Sequence, residues 1–209
     1  MLQYITNTEC PLSVQEQVKA VLDGGCRWVQ IRMKDASDDE VRKVVKDVKP
    51  MCDAVEAFLI LNDRVELAKE LEVSGVHLGK KDMLPSKARG YLGAGFIIGV
   101  TANTFDDVLE VRALDIDYIG IGPFAYTTTK KNLAPMLGIE GIKNLCEEMN
   151  NNDIEIARVP VGGIKLDDVE ALMNVGANGI AVSGAIAFAD DPRKETEKFI
   201  EALKPYLPK

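Results

Sequence analysis

Apolar residues recur along this chain in two alternating rhythms. Short dense runs lie at residues 2–5, 28–32, 58–62, 75–78, 96–100, 118–122, 156–161 and 179–183, each with the length and composition of a strand buried on both faces. Between them, residues 14–22, 39–55, 105–113, 139–149 and 166–175 carry apolar side chains at helical spacing, and 192–203 closes the chain in the same way. Gly24, Gly25 and Gly176 follow such stretches, where helix-ending glycines belong. Eight strands alternating with helices predict an α/β protein, and the count favours a closed (β/α)8 TIM barrel over an open sheet. The fourth unit is the weakest, with only 87–92 suggesting a helix, and residues 125–137 lack apolar periodicity. About a dozen structureless residues inside a compact domain more often serve function than arise by accident, so 125–137 is a candidate lid.

With 209 residues and 46% apolar composition the chain has material for one sizeable core. No linker rich in Pro, Gly or Ser divides it, so residues 1–209 are expected to form a single barrel domain. No stretch approaches the roughly 18 uncharged apolar residues of a membrane span, and no basic region followed by an apolar one opens the chain. A cytoplasmic enzyme is therefore expected. The net charge of -8 argues against nucleic acid as a partner, because that polymer calls for a broad positive surface, and it makes any anion site local. Cys10, Cys26, Cys52 and Cys146 show no close pairing and no accompanying histidines, which fits reduced packing residues rather than zinc ligands or a redox pair.

The polar residues gather where the apolar runs end. In VQIRMK at 29–34, Val29, Ile31 and Met33 share one face of a strand while Gln30, Arg32 and Lys34 share the other. The apolar face should meet the surrounding helices, so the polar trio points into the barrel and up toward its rim. An enclosed Arg32 needs an anion, either an internal carboxylate or a substrate phosphate. Asn62 and Asp63 end the third run, and Asp82 follows the fourth after a short polar turn. Two carboxylates from adjacent loops, without a Cys or His cluster, suit magnesium, although Asp63 could equally cap a short helix at 65–71.

His77, the only histidine, sits inside an apolar run and reads as structural, its ring satisfied by backbone hydrogen bonds. Thr127, Thr128, Thr129 and Lys130 follow the sixth run and supply hydroxyls beside an ammonium, which is either a solvated loop or an anion clamp. The seventh run ends in Gly162 and Gly163 and the eighth in Ser183 and Gly184. In barrels these loops often bind phosphate through backbone amides, though tight turns would also explain them. Cations on one side and glycine turns on the other suggest two phosphorylated substrates.

The ordered set VQIRMKD, LNDRVELA, GVHLGKKD, GPFAYTTTK, PVGGIKLDDV and GANGIAVSGAI resembles the thiamine-phosphate synthase family across essentially the full length. That resemblance implies condensation of hydroxymethylpyrimidine pyrophosphate with hydroxyethylthiazole phosphate, with Mg2+ as cofactor. By position, Asp63 and Asp82 match the metal ligands. Gln30, Arg32, Lys34, Asn62, Thr101 and Lys130 match the pyrimidine pyrophosphate site, with Arg32, Lys34 and Lys130 as the catalytic cations. Thr127, Thr129, Gly163, Ser183 and Gly184 match the thiazole phosphate site.

The chain departs from the family pattern at Met33, where glutamate is common, at Lys80, where glutamine is common, and at Tyr126, where proline is frequent. Gly184 falls where a serine is usual, with Ser183 one place early. The related thiazole tautomerases use a histidine where this chain has Asn103, which favours the synthase. A phosphate-binding barrel without turnover and a sugar-phosphate isomerase are the other readings, and exposed apolar faces on the outer helices would allow a homo-oligomer.

Overall fold

A computed structural model describes residues 1–127 and 135–207 of the chain. The first half alternates β1 (Leu2–Ile5), α1 (Val14–Asp23), β2 (Trp28–Ile31), α2 (Asp38–Asp53), β3 (Phe58–Asn62), α3 (Val65–Glu70), β4 (Gly75–Leu78) and α4 (Pro85–Leu92). The second half continues with β5 (Ile97–Ala102), α5 (Phe105–Val111), β6 (Tyr118–Ile121), α6 (Gly138–Asn151), β7 (Ala157–Pro160), α7 (Val169–Asn174), β8 (Ile180–Val182), α8 (Gly184–Ala187) and α9 (Pro192–Leu203).

All strand pairs are parallel, in the order β7-β6-β5-β4-β3-β2-β1-β8. The two ends of that order meet. Val161 bridges Ala181, and Asn178 closes the base by donating its N–H to the Arg158 carbonyl at 2.9 Å while its Oδ1 accepts the Arg158 N–H at 2.8 Å. The sheet is thus the nearly closed (β/α)8 barrel that the apolar rhythm predicts.

Alternation along the strands makes two apolar layers. Val29, Ile31, Leu59, Leu61, Val76 and Ile98 face outward and pack with helix residues such as Val18, Val21, Val45 and Phe199. Ile5, Trp28, Ile60, Tyr118, Val159 and Ala181 fill the inside. Helix starts follow local chemistry: Ser13 with Glu16, Ser37 with Glu40 and Thr104 with Asp107 form reciprocal capping boxes.

The structure corrects the sequence reading in detail. The weak fourth unit is a true helix, started by Pro85 in its first turn. The helix expected over 166–175 divides into a 3-10 turn, Leu166–Asp168, and α7. The four-residue α8 was not expected, being too short to show a period. Asp63 does not cap α3: the position before that helix is Arg64, and no side chain caps it. Both ends of the 125–137 loop are pinned where they can be seen, by the Leu137 N–H donating to the Pro123 carbonyl and the Gly138 N–H to the Phe124 carbonyl, each at 2.9 Å.

Candidate active site

The inward residues at the ends of β2, β3 and β4 meet in one cleft. Gln30, Arg32, Asn62 and His77 line it together with Gln3 and Ile5 from β1. Gln30 is 1% exposed and Asn62 6%, and Asn62 Nδ2 is buried with no hydrogen-bond partner. Burial lowers the Arg32 pKa, against the pull of Asp63, Asp35 and Glu9. Its backbone N–H donates to Thr6 Oγ1 at 2.9 Å, but its guanidinium forms no hydrogen bond or ion pair among the described residues. The internal ion pair weighed for Arg32 is therefore not formed among the described residues. A half-buried guanidinium and a buried amide, both lacking acceptors among the described residues, are suited to an anion.

Beside them stand the two carboxylates. Asp63 adopts φ 69°, a left-handed conformation that turns the chain sharply after β3. Asp82 Oδ2 accepts the Gly79 N–H at 2.6 Å, which folds the turn after β4 back over the rim. The two carboxyls are close enough for Asp82 to act on Asp63. Burial first, and then the bond and charge of Asp82, push the Asp63 pKa up to about 6 against the opposing Lys34, whose Nζ lies 3.5 Å away.

Two like charges held close in this way disfavour ionisation of one of them, a penalty that a bound cation would relieve. Among the described residues no group of three or more Asp, Glu, His or Cys side chains assembles. Two carboxylates without a Cys or His partner match the oxygen donors of magnesium, which needs no all-protein cage, and not the donor set of zinc.

On the next strands, His77 Nδ1 lies 3.0 Å from the Tyr118 hydroxyl and Nε2 lies 3.0 Å from Thr101 Oγ1. The ring is thus satisfied by side chains, not by the backbone as expected. Asn103 uses its amide to brace the Gly122 carbonyl, and Lys80 pairs with Asp107 at 2.5 Å instead of extending freely into water.

The opposite side of the rim carries the glycine turns. Gly163 and Ser183 each lie two residues past a partner of the Val161–Ala181 bridge. Among the described residues neither backbone N–H donates to an acceptor, and the buried Ser183 hydroxyl has no partner. Ser183 does not cap α8. Gly163 has φ 70°, and a Cβ there would lie 2.6 Å from the Tyr126 carbonyl oxygen, so this glycine lets the β6 loop lie across the turn. Thr127 belongs to that loop, while Thr129 and Lys130 lie outside the described residues.

Gln3 and Tyr118 escaped the sequence reading. Gln3 carried a usable signal, since a polar residue between Leu2 and Tyr4 in a buried run must face inward, as Gln30 does.

The sequence model of the family described as thiamine monophosphate synthase matches residues 2–186. The chain belongs to the thiamine monophosphate synthase family. It is an enzyme of the transferase class, in thiamine biosynthesis. The thiamine-phosphate synthase of Bacteroides fragilis is 54% identical over 199 residues, covering 95% of this chain and 98% of the relative. That of Methanosarcina mazei is 34% identical over 187 residues, covering 90% and 75%. The solved thiamine phosphate pyrophosphorylase of Pyrococcus furiosus superposes with a TM-score of 0.87 at 28% identity, over 99% of this chain and 96% of that one. The synthase barrel is thus matched from β1 to α9.

Proposed function

We propose that this enzyme joins hydroxymethylpyrimidine pyrophosphate to hydroxyethylthiazole phosphate, releasing pyrophosphate and forming thiamine phosphate. The observation that carries the reading is one rim with two separate sets of unpaired anion-binding groups. Arg32 and Asn62 stand on the β2–β3 side, and the Gly163 and Ser183 amides with the Ser183 hydroxyl stand on the β7–β8 side.

In this reading Arg32, Lys34, Asn62 and Lys130 bind the pyrophosphate, and Gln30 and Thr101 meet the pyrimidine ring. Thr127, Thr129, Gly163, Ser183 and Gly184 bind the thiazole phosphate. Asp63 and Asp82 would hold Mg2+, which when bound offsets charge on the pyrophosphate oxygens. The thiazole nitrogen attacks the pyrimidine's methylene carbon as the bond to pyrophosphate breaks. The aminopyrimidine spreads positive charge, which favours a dissociative path.

Cations from Arg32, Lys34 and Lys130 are worth most where charge grows on the leaving group. No protein nucleophile is needed. Closure of the 125–137 loop would bring Lys130 in and keep water from the cation. The reading takes residues 1–209 as one catalytic domain at work in the cytoplasm, and no helix among the described residues is long and apolar enough to cross a membrane. The Asn103 amide, engaged with the Gly122 carbonyl, supports the synthase over a tautomerase, which would want a proton-transfer group there.

The test mixes the purified protein with both substrates and magnesium and follows pyrophosphate and thiamine phosphate. Both products should form, and neither with Asp82→Ala or without the metal. Binding of the ligands with no product would favour a phosphate-binding barrel without turnover.

A further inference from the structure

Five side chains cross the barrel interior in one unbroken line of hydrogen bonds. Gln30 Nε2 donates to Gln3 Oε1 at 3.2 Å, and Gln3 Nε2 donates to the Tyr118 hydroxyl at 3.0 Å. That hydroxyl lies 3.0 Å from His77 Nδ1, and His77 Nε2 lies 3.0 Å from Thr101 Oγ1. The line runs from β2 through β1, β6 and β4 to β5, joining two residues assigned above to the pyrimidine by way of three that touch no assigned ligand.

Proton counting gives the line a direction. Tyr118 is 2% exposed, and its hydroxyl bonds only to Gln3 and His77 among the described residues. Since it accepts the Gln3 amide, its one proton goes to His77 Nδ1. A neutral imidazole with Nδ1 as acceptor carries its proton on Nε2, which donates to Thr101 Oγ1. Thr101 is then free to donate its own hydroxyl proton. At the other end, Gln30 has turned its amide nitrogen to Gln3 and keeps Oε1 as an acceptor. Reversing the Gln3 amide would reverse every bond after it, so the two ends change polarity only together.

Packing holds the line in place. A Cβ at Gly99 would lie 2.0 Å from Tyr118 Cζ, and one at Gly120 would lie 3.0 Å from His77 Cε1, so neighbouring glycines make room for both rings. Trp28 meets Tyr118 edge-on, with centroids 4.8 Å apart.

We propose that Gln3, Tyr118 and His77 are positioning residues that present Thr101 as a donor and Gln30 as an acceptor to the ring of the bound heterocycle. An aminopyrimidine has the complementary edge, a ring nitrogen that accepts beside an exocyclic amine that donates. The ligand half of the proposal rests on the assignment of Gln30 and Thr101 made under the proposed function.

His77 is the only histidine, so long-range 15N correlation of its ring reads the tautomer without ambiguity. The wild-type protein should show neutral imidazole protonated at Nε2. Protonation at Nδ1 would overturn the polarity argued here. Calorimetry with magnesium then compares hydroxymethylpyrimidine pyrophosphate with inorganic pyrophosphate, on the wild type, Tyr118→Phe and Gln3→Met.

Loss of one relay bond should weaken the pyrimidine ligand about 5- to 10-fold and leave inorganic pyrophosphate unchanged. Equal losses for both ligands, or none for either, would overturn the relay while leaving the synthase reading intact. A wild-type protein that binds pyrophosphate but not the pyrimidine ligand would overturn the ligand assignment and the synthase reading together. Should one variant fail to fold, the other variant and the wild-type tautomer still decide the question.

Discussion

Lys34 places Nζ 3.5 Å from Asp63 Oδ2 while half of its side chain stays in water, so its charge is screened where it opposes the Asp63 carboxylate and its neighbour Asp82. That screening leaves the Asp63 pKa raised by burial and by Asp82, and the Mg2+ proposed above would relieve it. The raised pKa also makes the site's behaviour measurable without substrate.

The Asp63 carboxyl has a folded pKa of about 6, above its unfolded value of roughly 3.9. The folded state therefore binds more protons between these values. The stabilising contribution is full below the unfolded pKa and is lost as pH rises through about 6. Metal-free protein should show this loss in melting temperature between pH 4 and 7, and Asp63→Asn should remove Asp63's part of it. Magnesium should raise the melting temperature of the wild type at pH 7.5 and have little effect on Asp63→Asn or at pH 5. Asparagine is the appropriate replacement because it tolerates the φ of 69° at this position.

Among the described residues the Arg32 guanidinium has no carboxylate at ion-pair distance, although Asp63, Asp35 and Glu9 act on it from farther away. Arg32→Gln should hold or slightly raise stability in urea, since it removes a desolvated charge. Pyrophosphate binding, followed by calorimetry, should weaken about 10- to 100-fold, the worth of a charge-assisted hydrogen bond. A large stability loss with unchanged binding would assign Arg32 to structure.

Gly163→Ala would set a Cβ 2.6 Å from the Tyr126 carbonyl oxygen at a positive φ. The expected cost is about 1–3 kcal/mol in chemical denaturation. Because the displaced segment leads into Thr127, KM for the thiazole phosphate should rise more than KM for the pyrimidine pyrophosphate. Equal changes would place the effect elsewhere.

Lys130→Ala should lower kcat by about 100-fold or more if its ammonium meets the leaving group. Lys198, paired with Glu195 on the outer helix α9, is the control. Similar turnover for Lys130→Ala and Lys198→Ala would remove Lys130 from the catalytic set.

The apolar rhythm alone determined the eight strands, most of the helices and the inward aim of Gln30 and Arg32, because strand alternation and helical period are local properties of the chain. It could also identify Asp63, Asp82, Gly163 and Ser183 as rim residues, since each follows directly on a strand or its turn. Only the tertiary structure decided which groups are partnered. Among the described residues the Arg32 guanidinium and the Ser183 hydroxyl are left without hydrogen-bond partners, Asn103 and Lys80 are engaged elsewhere, and His77 is tied to Tyr118 and Thr101 across 41 and 24 residues of sequence. The reason is that the closed barrel brings side chains from β1, β2, β4, β5 and β6 into one interior. Hydrogen-bond satisfaction there depends on distances between strands, which no local pattern records.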